Sequence, residues 1–268
     1  VKFISASEPE YVFSPQDCRH STLYMEKRAV KGEPTVFSET FEYTSCGEWH
    51  NLRAEDVQPY DTATALYKEY TAEREKHIIF SPRLRELAAK LTAGENNPYL
   101  KAKRIFRWVN DNFPWASARE YSTIENIPEY VLDNRHGDCG QVSLLFITLC
   151  RISGIPAHFQ SGFMMHPRAW NLHDWAEVYF EGVGWVPVDQ SFGIPTFACN
   201  ADEEYFFMGG IDSWRMIVNT DYGMPLVPEK KYPRSETVDF QRGEVEWEGG
   251  NLYFPQWSYH MDIDYLNY

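Results

Sequence analysis

What this 268-residue chain lacks narrows its function before any motif is read. No uninterrupted apolar run approaches the roughly 20 residues that cross a bilayer, so no membrane span is expected. No cluster of Lys and Arg is longer than a pair, and the formal net charge is −14. A nucleic-acid binder needs a basic footprint, so nucleic acid is set aside. The five cysteines, at 18, 46, 139, 150 and 199, form no CxxC pair, which removes support for zinc-ribbon and thioredoxin-type chemistry. There is no HExxH and the thiols are scattered, so neither a metal nor any other cofactor is expected. Internal repeats and low-complexity tracts are missing as well. The chain opens at Val1 with no Met and no apolar leader, as a mature or trimmed chain would.

What is present describes a globular protein. Hydrophobic residues make up 43% of the sequence, which excludes disorder, and the length can bury a real core in one elaborated domain or two small ones. Aromatics reach 16%, with 9 Trp, 17 Tyr and 17 Phe, in keeping with a β-rich surface or a peptide- or glycan-contacting groove. If one cysteine is a free nucleophile, the other four are open to two readings: Cys18 and Cys46 form a disulfide in an oxidising compartment, or all four are buried thiols.

Along the chain, residues 1–60 have no helical period, and "TVFSETFEYTSC" (35–46) mixes β-branched and aromatic residues with polar ones, as strands do. At Ser81 the pattern changes. Ser81 can cap a helix with Pro82 at its first position, Leu84, Leu87, Ala88 and Leu91 form its stripe, and Gly94 ends it. Ala102, Ile105, Phe106 and Val109 mark a second helix in 99–113. A loop of small and polar residues is expected over 116–134, then a helix from 139. Short aromatic strands follow at "AHFQSGFMM" (157–165), "HDWAEVYF" (173–180) and "GWVPVDQ" (184–190). Beyond 200, "WRMIVN", "TVDFQ", "GEVEW" and "NLYF" also read as strands. Strands, then helices, then an antiparallel sheet make an α+β arrangement.

The stretch "RHGDCGQVSLLFITLCRISGIPA" (135–157) carries the chemistry. Positions 142, 145, 146, 149 and 150 keep helical spacing, Leu144 and Ile147 fill the flanks, and Gly154 before Ile155-Pro156 stops the helix. A helix apolar nearly all round is a central, buried one. Cys150 is mid-helix and reads as core. Cys139 stands at the first turn, where unpaired N–H groups and the positive dipole end favour a thiolate. Gly137 and Gly140 leave room for a close approach to the sulfur. Asp138 opposes the thiolate unless its carboxylate caps the helix.

A nucleophilic thiol needs a base and a group to orient that base. His173 opens a strand whose alternation sets His173, Trp175, Glu177 and Tyr179 on one face. Asp189 lies on the next strand. A two-residue hairpin loop would turn Asp189 away from His173, whereas a three-residue loop, Glu181 to Val183, sets it opposite Trp175 and on the His173 face. His166 in "MMHPRAWN" reads as a surface or turn residue with a possible role as a lid or substrate contact, and His136 as a turn residue.

These spaced blocks, "GDCGQVSLLFITLCRISGIPAHFQSGF" followed by "HDWAEVYFEGVGWVPVDQSFG", strongly resemble the catalytic core of the transglutaminase-like superfamily over residues 137–193. The upstream helices at 81–113 resemble its lead-in. The resemblance implies a bacterial-type member with a papain-like, cysteine-nucleophile fold: a central helix packed on an antiparallel sheet, with additional strands at both ends. It implies Cys139 as nucleophile, His173 as base and Asp189 as orienting acid. Acyl transfer on protein, peptide or peptidoglycan-like amides follows, as hydrolysis or transamidation. Trp115 is the oxyanion candidate implied by the family's upstream Trp, Gln141, Trp175 and His166 are further oxyanion or substrate candidates, and Trp108 reads as core. Two departures are visible: Asp189-Gln190-Ser191 stands where the family often has Asp-Pro-Thr, and no acidic loop suits calcium. The expected organisation is a strand-rich extension (1–75), a catalytic core (76–200) and C-terminal strands completing the sheet (201–268), with export to the periplasm or cell envelope expected ahead of the cytoplasm. The competing reading is a catalytically silent module that binds peptide or glycan.

Overall fold

The computed structural model describes residues 1–117 and 119–266, so Ala118, Asn267 and Tyr268 lie outside the described residues. Five short strands come first: β1 Lys2–Ala6, β2 Tyr11–Phe13, β3 Leu23–Met25, β4 Glu39–Glu42 and β5 Glu48–Trp49. Helices follow: α1 Ala65–Tyr70, α2 Pro82–Leu91, α3 Pro98–Asn112, α4 Ile127–Asn134 and α5 Cys139–Ile152. After them come β6 Ala157–Met164, β7 Asn171–Phe180, β8 Gly184–Val188, the single turn α6 Ala201–Glu204, β9 Gly210–Ile211, β10 Arg215–Thr220, β11 Val245–Trp247 and β12 Gly250–Leu252.

The helices begin where their sequences offer caps. Ser81 Oγ accepts from Leu84 N with Pro82 at the first position of α2, and Asn97 does the same for α3 with Pro98. Asp138 caps α5 by accepting from Gln141 N at 3.0 Å, while the Gln141 side chain returns to Asp138 N. Leu144, Leu145, Phe146, Ile147, Leu149 and Cys150 on α5 are all fully buried, so this helix is the axis of the core, as its apolar circumference requires.

One four-stranded antiparallel sheet, in the order β10-β6-β7-β8, lies against α5. Its β10 edge comes from beyond residue 200, and residues 19–21 cover that edge: Thr220 N donates to Arg19 O and Ser21 N to Val218 O. Gly162 of β6 pairs with His173 of β7 on one side and faces β10 on the other. A Cβ there would lie 2.9 Å from both Met216 C and Val218 N, so the close approach of β10 requires glycine. The N-terminal strands pair in small two-stranded sheets, β1 with β4 and β2 with β3, and β5 pairs with β9.

Three expectations fail. The loop expected over 116–134 contains α4, which Asn126 caps by accepting from Glu129 N, with Pro128 in its first turn. The stretch "TVDFQ" is no strand, because Glu236 Oε1 takes the N–H groups of both Thr237 and Val238 and folds the backbone into a turn. Neither reading of the other four cysteines holds: all five are free, and Cys46 and Cys199 are exposed.

Candidate active site

The β7–β8 hairpin sets the site. Phe180 pairs with Gly184 and Ala176 with Val188, so the connection holds three residues, Glu181 to Val183. Continuing that register puts Asp189 opposite Trp175. Ala176, Val178 and Phe180 turn inward to the core under α5, and Asp174 belongs to this same alternation; His173 and Trp175 occupy the other.

His173 and Asp189 meet. Nε2 lies 2.8 Å from Asp189 Oδ2, and both residues are buried. The carboxylate is held by four donors: His173 Nε2 and Arg215 Nη1 (2.7 Å) on Oδ2, and the backbone N–H groups of Ser191 (3.1 Å) and Phe192 (3.0 Å) on Oδ1. Burial alone would raise the Asp189 carboxyl; the charge and hydrogen bond of His173 and the charge of Arg215 outweigh it and hold the group well below the usual carboxylate range. An ionised carboxylate only accepts, so Nε2 carries the proton and Nδ1 is the basic nitrogen of the neutral ring. Trp175 stacks beside the imidazole at 5.9 Å between centroids, 29° from parallel, and its indole N–H donates to Gln160 Oε1 at 2.6 Å.

Arg215 is one of the residues that sequence reasoning missed. Its buried guanidinium joins Asp189 to Asp212, reaching Asp212 Oδ2 through Nε (3.0 Å) and Nη2 (2.8 Å), and it lies 4.5 Å from the Phe192 ring centre. Asp212 Oδ1 in turn meets His166 Nε2 at 3.1 Å. His166 therefore stands at the end of a chain of charges that runs back to Asp189. The stretch "WRMIVN" reads as a strand by period, and nothing local in it announces a partner 26 residues upstream.

At Cys139 the environment departs from expectation. Sγ is 3.4 Å from Asp174 Oδ2, and among the described residues no hydrogen bond joins it to the imidazole. Tyr121 Oη donates to Asp138 Oδ1 at 2.7 Å and lies 3.3 Å from Asp174 Oδ2. Gln241 Nε2 donates both to Asp174 Oδ1 (2.8 Å) and to the His173 carbonyl (2.7 Å). The dipole end of α5 was expected to favour a thiolate. Instead burial, followed by the charges of Asp174 and Asp138, pushes the Cys139 thiol well above its usual range.

The remaining candidates are placed as follows. Trp115 pairs by its backbone with Gly137, and Ala116 N donates to Gly137 O at 3.0 Å, so Trp115 borders the turn into α5 with its side chain 60% exposed. Gln141 is consumed in the cap, although its buried Nε2 has no hydrogen-bond partner among the described residues. Trp108 is half-buried against Phe113. A cleft of about 480 Å³ lined by Tyr60, Tyr67, Asn97, Lys101 and Gly154 lies by the opposite end of α5, about 20 Å along the helix from the thiol.

A cysteine opening a buried helix, together with a His–Asp pair on an antiparallel hairpin, defines the class: an α+β protein with a thiol-containing polar centre where its central helix meets its sheet. Residues 85–190 match the model of the transglutaminase-like superfamily. YebA of Bacillus subtilis, uncharacterised, is 27% identical over 129 residues, or 41% of this chain and 18% of that protein. A protein-glutamine gamma-glutamyltransferase of Pseudomonas aeruginosa is 23% identical over 125 residues, 42% of this chain and 19% of the relative. The chain thus matches less than a fifth of either relative. Among solved structures, a proposed cysteine protease of Cytophaga hutchinsonii aligns with a TM-score of 0.47 at 20% identity, over 62% of this chain and 51% of that one. The periplasmic domain of TgpA from Pseudomonas aeruginosa aligns at 0.40 and 20%, over 47% of each chain.

Proposed function

We propose that this chain is a cysteine-nucleophile acyl-transfer enzyme acting on amide or peptide bonds, with Cys139 as nucleophile, His173 as base and Asp189 as the acid that orients it. The observation that carries this reading is the 2.8 Å contact from His173 Nε2 to a carboxylate fixed by three further donors. That contact leaves Nδ1 as the proton acceptor. Sγ attacks the carbonyl carbon as its proton passes to Nδ1. The tetrahedral intermediate then breaks its C–N bond, and ammonia or an amine departs with that proton. Water or a second amine resolves the thioester and restores the thiol.

Hydrolysis, as a protease or amidase, is the favoured course, with transamidation the other; protein, peptide and peptidoglycan-like amides are the substrate class. The name of the Pseudomonas relative, a protein-glutamine gamma-glutamyltransferase, supports amide chemistry of this kind. The backbone N–H of Cys139 is the first oxyanion donor, with Trp115 at the rim as the second candidate. An envelope setting rests on the acidic, aromatic composition, since the disulfide that would have supported it is missing.

One observation favours the silent binding module instead: the thiol's hydrogen bond runs to Asp174. A thiol-directed activity probe, with peptide, peptidoglycan-fragment and glutamine-donor substrates in parallel, separates the two. The enzyme labels at Cys139 and releases ammonia or amine, and Cys139→Ala abolishes both. Folded protein that turns over none of these substrates sinks the reading.

A further inference from the structure

The geometry points to Asp174 as a positioning residue that takes the Cys139 S–H hydrogen bond and keeps the nucleophile in its thiol form until substrate arrives. The inference rests on the reading of Cys139 as nucleophile.

Three independent features place the carboxylate under the sulfur. The first is the contact itself, Oδ2 to Sγ at 3.4 Å. The second is the far oxygen, Oδ1, pinned by Gln241 Nε2 at 2.8 Å; the same amide nitrogen also holds the His173 carbonyl, so one side chain ties the carboxylate to the backbone of the base. The third is Gly140, the residue after the thiol. A Cβ at 140 would stand 2.7 Å from Asp174 Oδ2 and 2.9 Å from Tyr121 Cζ, so the space that glycine leaves beside the nucleophile is filled by these two side chains rather than held open for a ligand.

The groups facing the thiol are nearly all acidic or protic. Asp138 comes from the cap of α5, Tyr121 from the turn before α4, and Asp174 from β7. From the 236–241 segment, Asp239 and Glu236 stand behind Asp174, with Arg242 as the nearby cation. Burial, then the charges of Asp239 and Asp138, raises the Asp174 carboxyl well above its usual range. A thiolate there would meet the charge of Asp138, and that of Asp174 once it ionises.

The test is the pH profile of Cys139 alkylation by iodoacetamide in the full chain, read by peptide mapping so that the other cysteines do not interfere. Wild type should alkylate at Cys139 with a midpoint above about 8.5, the value of an unperturbed thiol. Asp174→Asn keeps the shape and the acceptor for Gln241 but turns an N–H toward sulfur. Its midpoint should fall by at least one pH unit, with about tenfold faster labelling at pH 7, in protein whose near-ultraviolet circular dichroism is unchanged. Asp174→Ala, which removes the carboxylate by truncation, should move the midpoint the same way. A folded variant with an unmoved midpoint overturns the inference. So does wild type with a midpoint below 7, a result available even if neither variant folds. Alkylation reads the thiol alone, so failure to turn over amides would strike the proposed function and leave this result standing.

Discussion

Arg215 and Asp189 form a buried ion pair, Nη1 to Oδ2 at 2.7 Å, on the same carboxylate oxygen that receives His173. The guanidinium is shared with Asp212, so one cation neutralises two acids and fixes the carboxylate that in turn fixes the imidazole. Arg215→Met should therefore cost about 3–5 kcal/mol, the usual penalty for leaving a buried charge without its partner. Arg215→Lys keeps a charge but loses the planar fork, and should cost less. Urea denaturation measures both; a loss under 1 kcal/mol for Arg215→Met would mean the pair is not buried as described.

Removing the base and removing its orienting acid should differ in degree. His173→Ala deletes the proton acceptor and should abolish amide turnover. Asp189→Asn keeps an acceptor for the backbone N–H groups while losing the charge that stabilises the imidazolium as it forms, so turnover should fall by about a thousandfold or more without vanishing. Steady-state kinetics on the best amide found decides it. Near-normal turnover by His173→Ala would move the base to His166 or His136.

The hairpin register was legible because alternation is strict: only an odd loop lets His173 and Asp189 share a face, and the loop has three residues. The caps of α2 and α5 were legible because Ser81, Pro82, Asp138 and Gln141 act within one turn of themselves. Asp174 was hidden by the same alternation that revealed Asp189. As the neighbour of His173 it points to the other side of the strand, and only the packing of α5 on that side brings it under Cys139. Tyr121 and Arg215 were hidden by distance along the chain, since a period describes a residue's own element and says nothing of what folds back onto it. The helix α4 carried a readable signal, Asn126 before Ile127-Pro128-Glu129, which the surrounding polar residues masked.

Stability should fall with rising pH between about 6.5 and 8. Burial, then the nearby charge of Asp239, raises Glu236 from 4.5 to about 8, and burial raises Asp239 from 3.8 to about 6. Each is protonated in the folded chain at a pH where the unfolded chain has lost the proton, so its stabilising contribution is complete below the unfolded value and drains away as pH climbs through the folded one. Below about 6.5 an opposite effect intervenes, because burial lowers His20 to about 3 and His77 to about 4, and acid therefore favours the unfolded chain there. Above it the carboxylates act alone, at no more than about 1.4 kcal/mol per pH unit for each proton. Melting temperature should drop from pH 6.5 to 8 in wild type and drop less steeply in Glu236→Gln, where Asp174 and Asp239 still contribute. A wild-type melt that is flat or rising across that window would contradict the buried acids.

Gly140→Ala sets two effects against each other. Alanine is the better helix former by about 1 kcal/mol, and position 140 lies in the first turn of α5, so propensity alone predicts stabilisation. Against it, the new methyl would press on Tyr121 Cζ at 2.9 Å and Asp174 Oδ2 at 2.7 Å. Both side chains are buried, at 6% and 2% exposed, and neither can swing out to solvent. Overpacking of this kind costs about 1–3 kcal/mol, which exceeds the gain in propensity over most of that range. The net change should be destabilising, seen as a lower melting temperature at fixed pH. Adding Tyr121→Phe, which removes the hydroxyl nearest the methyl, should recover part of the loss, and a double-mutant cycle isolates that coupling. A Gly140→Ala protein more stable than wild type would show that Tyr121 and Asp174 do not fill the space beside Cys139.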